Sequence, residues 1–190
     1  HNIAISLASL TYMAAVGISS SAAIKVGKAY GRNNHSETRD AGFSAIVLAM
    51  VYETFTCLIF ILAGSVLVDL YIDEPEVFPI AVKLVAIAGI FQLSDGIQAV
   101  ALGALRGLKD VNIPTIIALF SYWAIGIPAA YLLAFKTKIF DSSLSFLEQI
   151  KPNGIFIGVE GIWYGLTLGL TLSAILLSIR FYILTKKKIE

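Results

Sequence analysis

The sequence predicts an all-α integral membrane protein, a helical bundle of five transmembrane helices. Composition is the first ground: 57% of the 190 residues are hydrophobic and only 14% are charged, where a soluble domain carries roughly 25% charged residues. Mean hydropathy is +0.82. The second ground is length. The apolar residues gather into five runs, each reaching the ~20 residues that cross a bilayer as a helix. The third is pattern. The runs are uniformly apolar, whereas strands of a membrane barrel alternate over about 9–11 residues.

The spans fall at about 2–30, 41–71, 77–105, 113–135 and 155–184. In the first, the membrane part covers about 2–24, and the helix is expected to continue past the membrane until Gly31 and Asn33-Asn34 stop it. The run lacks a basic leader and opens on His1 rather than Met, so it is read as part of a longer protein and not as a signal peptide. A tight acidic turn, Asp73 to Glu76 with Pro75, separates the second and third spans. A short basic turn with Arg106 and Lys109 leads to Pro114 and the fourth span, which Pro128 should bend by freeing a backbone carbonyl. The longest link, 136–154, closes at Pro152-Asn153-Gly154, and its Leu144, Phe146, Leu147 and Ile150 suit a short interfacial helix. The last span repeats Gly161, Gly165 and Gly169 on one face, a spacing that brings a neighbouring backbone close. Gly89, Gly96 and Gly103 do the same on the third span.

Basic residues set the expected orientation. Lys25, Lys28, Arg32, Arg39, Arg106, Lys109, Arg180, Lys186, Lys187 and Lys188 fall on one side, against Lys136, Lys138 and Lys151 on the other. The positive-inside rule places the richer side, and with it the C-terminus, in the cytoplasm.

Polar residues within spans point to function, because a charge at bilayer depth costs about 2.5–3.5 kcal/mol on insertion scales and marks ion or substrate pathways. Asp95, mid-way along the third span, is the foremost candidate. Gln92 and Gln98 lie three residues to either side, near its face; either they line a cation or substrate site, or they cap Asp95 with hydrogen bonds. Glu53, in the second span, either faces a cavity, pairs with Lys83, or lies near an interface, with a structural or snorkelling position favoured. Lys83 is expected to snorkel outward, and Glu160, at the outer end of the last span, to be solvated.

Several classes are excluded. A net charge of +1 offers no nucleic-acid surface. His1, His35 and the single Cys57 have no metal-ligand spacing, and Cys57 reads as a small packing residue. No Gly-rich phosphate loop is present. A membrane-embedded enzyme stays as an alternative of a different class; it would need clustered acids or histidines at the cytoplasmic interface, and the sequence shows none.

Beyond these physical readings, Phe91 to Asp110 carries the pattern D-x-x-Q-x-x-x-x-G-x-L-R-G-x-x-D, from Asp95 to Asp110, and resembles the tenth helix and following turn of multidrug and toxin extrusion (MATE) transporters. His1 with Ile3-Ala4, and Ile24 to Gly31, resemble the eighth helix of that family. Ser121-Tyr122-Trp123 with Gly126-Ile127-Pro128, and Gly161-Ile162-Trp163-Tyr164-Gly165, resemble its eleventh and twelfth. The resemblance implies a twelve-helix fold of two lobes, of which residues 1–190 supply part of the C-terminal lobe. It implies secondary active efflux of a small-molecule drug or organic cation, by antiport with Na⁺ or H⁺, in the bacterial cytoplasmic (inner) membrane. The partners implied are the lipid bilayer and the missing N-terminal lobe, with no cofactor beyond the coupling ion.

Asp95 matches the cation-coupling carboxylate of NorM-like members, where Na⁺ is one of the two ions it could hold. Phe91, where the family commonly has Tyr, and Gln92, Gln98, Tyr122 and Glu53 are cavity candidates. Within the same superfamily, a lipid-linked oligosaccharide flippase is the alternative; it would be expected to show a more cationic cavity, and Lys83 is the only mid-span base.

Overall fold

The computed structural model describes residues 2–71, 74–134 and 159–186. The interfacial helix expected in 136–154, the Pro152-Asn153-Gly154 closure, His1 and Lys187-Lys188 lie outside them. The described residues form α1 (Asn2–Gly31), α2 (His35–Leu62), α3 (Gly64–Asp69), α4 (Phe78–Gly107), α5 (Asn112–Phe120), a π-helical turn (Ser121–Gly126), α6 (Ile127–Ala134) and α7 (Val159–Lys186). Five segments are long and apolar enough to cross a membrane: α1, α2, α4, α5 through α6 as one unit, and α7 from Glu160.

The first turn is built on asparagine. Asn33 takes a left-handed conformation, φ 55°, which Asn tolerates better than most residues. The N–H groups of Asn33 and Asn34 close α1 on the carbonyls of Tyr30 and Ala29, the hydrogen-bond pattern that satisfies a helix C-terminus. Asn34 then starts α2: its side-chain oxygen accepts from the Glu37 N–H at 3.1 Å, a cap worth about 1 kcal/mol. Glu37 accepts in return from Asn34 Nδ2 and from Arg32. The turn after α4 repeats the device with Lys109 at φ 62°, so that Asp110 N–H bonds the Leu105 carbonyl.

One boundary differs from the expected span of 41–71. The helix stops at Leu62, and Ala63 leaves helical geometry (φ −109°, ψ 12°) before α3 begins at Gly64. The Ala63-Gly64 step lies where glycine weakens a helix, and apolarity alone gives no sign of such a break.

α4 is the central helix. It packs on α1, α2 and α7 through different faces. Its glycines make the approach close: Gly89 lies on Cys57 and Phe60 of α2, Gly96 on Glu53 of α2, and Gly103 and Gly107 on Ser19 and Ala23 of α1. On α7, Gly161, Gly165 and Gly169 meet the backbone of Leu133, Ala130 and Gly126 in turn. The expected helix-packing role of both glycine series is thus realised, and Cys57 serves as packing surface. The order of these contacts fixes direction. Ser19 meets Ala99 and Ala23 meets Gly107, so α1 runs parallel to α4. Gly89 and Gly96 meet α2 in reverse order, so α2 runs antiparallel.

α4 and α7 run side by side and are clasped at three levels. Lys83 pairs with Glu160 at 2.8 Å near their first turns. Ser94 and Thr171 share a hydrogen bond of 2.7 Å in the middle. Asp110 pairs with Arg180 at 2.6 Å at the far end. Two expectations change here: Lys83 pairs with Glu160 and not with Glu53, and Glu160 is held in that pair, its side chain only 20% exposed. Gly165→Ala should show how little slack the α6–α7 contact has. The new methyl falls on the backbone of Ala130, which cannot rotate away, and overpacking of this kind costs about 1–3 kcal/mol. A thermal-shift measurement on the purified protein should record the loss.

Candidate functional site

The polar residues of the spans gather around the middle of α4. At 100° per residue, Gln92 points to α1, Ser94 to α7 and Gln98 to the π-helical turn, and Asp95 falls in the arc between Gln92 and Gln98. Gln92 Nε2 donates to the Ala8 carbonyl at 3.1 Å and to Thr11 Oγ1. Thr11 is itself tied to its own helix, and its carbonyl accepts from Tyr52 O–H at 3.1 Å. The Tyr122 hydroxyl donates to Gln98 Oε1 at 2.9 Å. Of the two readings of the glutamines, the one in which they cap Asp95 is set aside: each is turned to a neighbouring helix, because those helices carry hydroxyl and carbonyl partners within reach.

Asp95 is half-buried, and among the described residues no side chain hydrogen-bonds its carboxylate. Tyr12 of α1, Tyr122 of the π turn and Glu53 of α2 all lie within its electrostatic reach. Phe91, one turn earlier, offers no oxygen; its ring packs edge-on against Trp163 of α7, centroids 5.2 Å apart.

Glu53 faces inward, not to an aqueous cavity or an interface rim. It is 1% exposed, and its carboxyl rests on Gly96, in the room left by the missing side chain. Thr56 O–H donates to Oε2 at 3.0 Å, while Oε1 has no partner among the described residues.

Tyr122 owes its position to a local irregularity. Pro128 has no N–H to continue the α-helical ladder, and upstream of it the helix widens, so that Ile127 N–H reaches back five residues to the Tyr122 carbonyl. Such π turns are rare and favour functional sites. Pro128 signalled an irregularity here, and the structure sets it one turn earlier. Thr11, Tyr12, Tyr52 and Thr56 escaped the sequence reading; an isolated hydroxyl in an apolar span is common, and its pairing across helices needs the fold. A groove of about 1010 Å³ between α1 and α2, lined by Gly17, Ser21, Lys25 and Asp40 among others, lies apart from Asp95 and Glu53.

Comparison with known proteins decides the family. The MatE family model matches residues 1–132. The chain belongs to the MATE family. It is 36% identical over 186 residues to the probable multidrug resistance protein NorM of Brucella suis, covering 95% of this chain and 36% of that protein. It is also 36% identical over 194 residues to the multidrug resistance protein NorM of Burkholderia vietnamiensis, covering 100% of this chain and 38% of the relative. The chain therefore spans little more than a third of the length of these relatives. Its fold matches the crystal structure of the eukaryotic MATE transporter AtDTX14, with a TM-score of 0.77 and 23% identity, over 98% of this chain and 39% of that one. MATE proteins are transporters and not enzymes, and this MATE chain is a multi-pass membrane protein.

The Tyr122–Gln98 bond lends itself to a double-mutant cycle. Tyr122→Phe, which strands the buried Gln98, should destabilise by about 1–2 kcal/mol, Gln98→Leu, which strands the partly buried Tyr122 hydroxyl, by less, and together they should cost less than the sum. Thermal unfolding of the single and double variants measures the coupling.

Proposed function

We propose that this chain is part of the C-terminal lobe of a two-lobed multidrug efflux transporter, driven by antiport of H⁺ or Na⁺ through Asp95. The observation that carries the reading is Asp95 itself. It is a half-buried carboxylate, mid-way along the central helix, and among the described residues no side chain hydrogen-bonds it. A permanently paired aspartate would serve structure; this one keeps both oxygens for an exchangeable cation. An ion bound from outside and released inside performs work when the occupied and empty carboxylate favour different lobe arrangements. Gln98 and Tyr122, joined across α4 and the π turn, border the same arc and suit contact with the cationic or amphipathic substrate. Gln92 acts from the α1 side as a positioning residue, and Phe91 with Trp163 supplies the aromatic wall.

The names of the NorM relatives support drugs as the substrate class, and their length supports a second lobe. The flippase reading finds less support. Lys83 is taken up by Glu160, and Arg106, whose charge reaches Tyr12, sits in the last turn of α4 and not in the middle of the span. The chemistry around Asp95 is acidic and amide, suited to cations.

Two outcomes test this reading. In the full-length protein carrying these residues, Asp95→Asn should reduce drug efflux to the level of cells lacking the transporter, at equal membrane abundance; efflux by the variant at the unmodified rate refutes the coupling role. For orientation, a reporter placed after Glu190 should read cytoplasmic and a cysteine at Ser143 should react with an impermeant reagent from outside. Labelling of that cysteine from the cytoplasm alone reverses the topology.

A further inference from the structure

We propose that Glu53 is a second proton carrier of this lobe, coupled to Asp95 across the notch left by Gly96. The inference rests on the assignment of Asp95 as the coupling carboxylate and adds a site that the assignment does not contain.

The argument begins with burial. Glu53 is 1% exposed in a membrane-spanning helix, and a buried carboxylate without a counter-charge is strongly disfavoured. Among the described residues no base pairs with Glu53: Lys83 holds Glu160, Arg180 holds Asp110, and Arg106, exposed in the last turn of α4, bears on Tyr12. Thr56 hydrogen-bonds Glu53, and the titratable groups within its electrostatic reach are Tyr52 and Cys57 on its own helix, Tyr12 from α1 and Asp95 from α4. None of them is a cation, and one is an acid.

A single hydrogen bond from Thr56 satisfies Oε2 and leaves Oε1 open. A proton on Oε1 removes the charge without enlarging the group. A metal ion would need several further oxygens, and the carboxyl already lies against the α4 backbone at Gly96. The site therefore fits H⁺. Uptake breaks one O–H bond of hydronium, leaving water, and forms one at Glu53, whose charge goes from −1 to 0; release runs the same exchange in reverse.

The geometry couples this proton to the ion at Asp95. Gly96 is the next residue along α4, and two like charges this close disfavour each other. A cation on Asp95 makes it easier for Glu53 to lose its proton, and an empty, charged Asp95 makes it harder. Glu53 thus makes the charge of the site depend on pH through two groups.

The test counts protons. The purified full-length protein, in weakly buffered detergent solution with a pH-indicating dye, is mixed with an organic-cation drug, and the protons released per drug bound are measured with and without Na⁺. Glu53→Gln, which keeps the size and the Thr56 contact, should release fewer protons than the unmodified protein whether or not Na⁺ is present. Release by Glu53→Gln equal to that of the unmodified protein overturns the proposal. Asp95→Asn, measured alongside, reports on the coupling assignment separately: undiminished release there refutes that assignment, whatever Glu53→Gln does.

Infrared difference spectra between acid and alkaline buffer supply a second reading. The unmodified protein should show a carboxylic-acid C=O band that moves when glutamate is carbon-13 labelled and vanishes in Glu53→Gln or in Glu53→Leu. Persistence of all glutamate bands in both variants overturns the proposal as well. Glu53→Leu, which needs no hydrogen-bond partner, keeps the experiment decisive if the glutamine variant fails to fold.

Discussion

Helices in lipid gain little by burying apolar side chains against one another, because the lipid tails are as apolar as the helices. This lobe depends instead on backbone approach along α4. Gly96, Gly103 and Gly107 bring α2 and α1 so near that a side chain there would overlap the neighbour, and at Gly89 it would fit only tightly. Dispersion and short polar contacts then act over the whole length of the helix. The partner glycines of α7 extend the same construction to α6 and the π turn. Remove the close approach and the polar contacts of the interior, Ser19 with Ala99, Gln92 with Thr11 and Ser94 with Thr171, lose the distances they need.

The same closeness creates the site. A tightly packed helix leaves polar side chains only a few directions to point. Gln92 is claimed by α1, Ser94 by α7 and Gln98 by the π turn, which leaves Asp95 in the remaining arc. Glu53 reaches the middle of the bundle because Gly96 has no side chain to stop it. The glycine that packs two helices therefore also admits a second acid to the neighbourhood of the first.

Much of this was legible in the sequence. The five apolar runs, the stop at Asn33-Asn34, the packing faces of both glycine series and the mid-span position of Asp95 follow from length and spacing. The partners of polar side chains did not follow. Lys83 chose Glu160 over Glu53 because α4 and α7 start at the same level, a fact of tertiary register. For the glutamines three residues from Asp95, helical proximity left two readings open, and only the fold shows the cross-helix hydroxyl and carbonyl that each one meets. The halt at Leu62 was hidden because Ala63 and Gly64 are as compatible with an apolar run as their flanking residues.

The two ion pairs and the central hydroxyl pair between α4 and α7 divide the lobe into parts of unequal stiffness. Helices pinned at both ends and in the middle cannot slide or splay, so α4 and α7 behave as a single beam. The π turn between α5 and α6 is different: its ladder is already out of register, and a one-residue change in hydrogen bonding there costs less than in a regular helix. That turn and the break at Ala63 are the two interruptions of the helical ladder within the described spans, and one residue of the turn, Tyr122, holds Gln98. A wrench applied to α5 therefore arrives at the α4 beam as a pull on one side chain, next to Asp95.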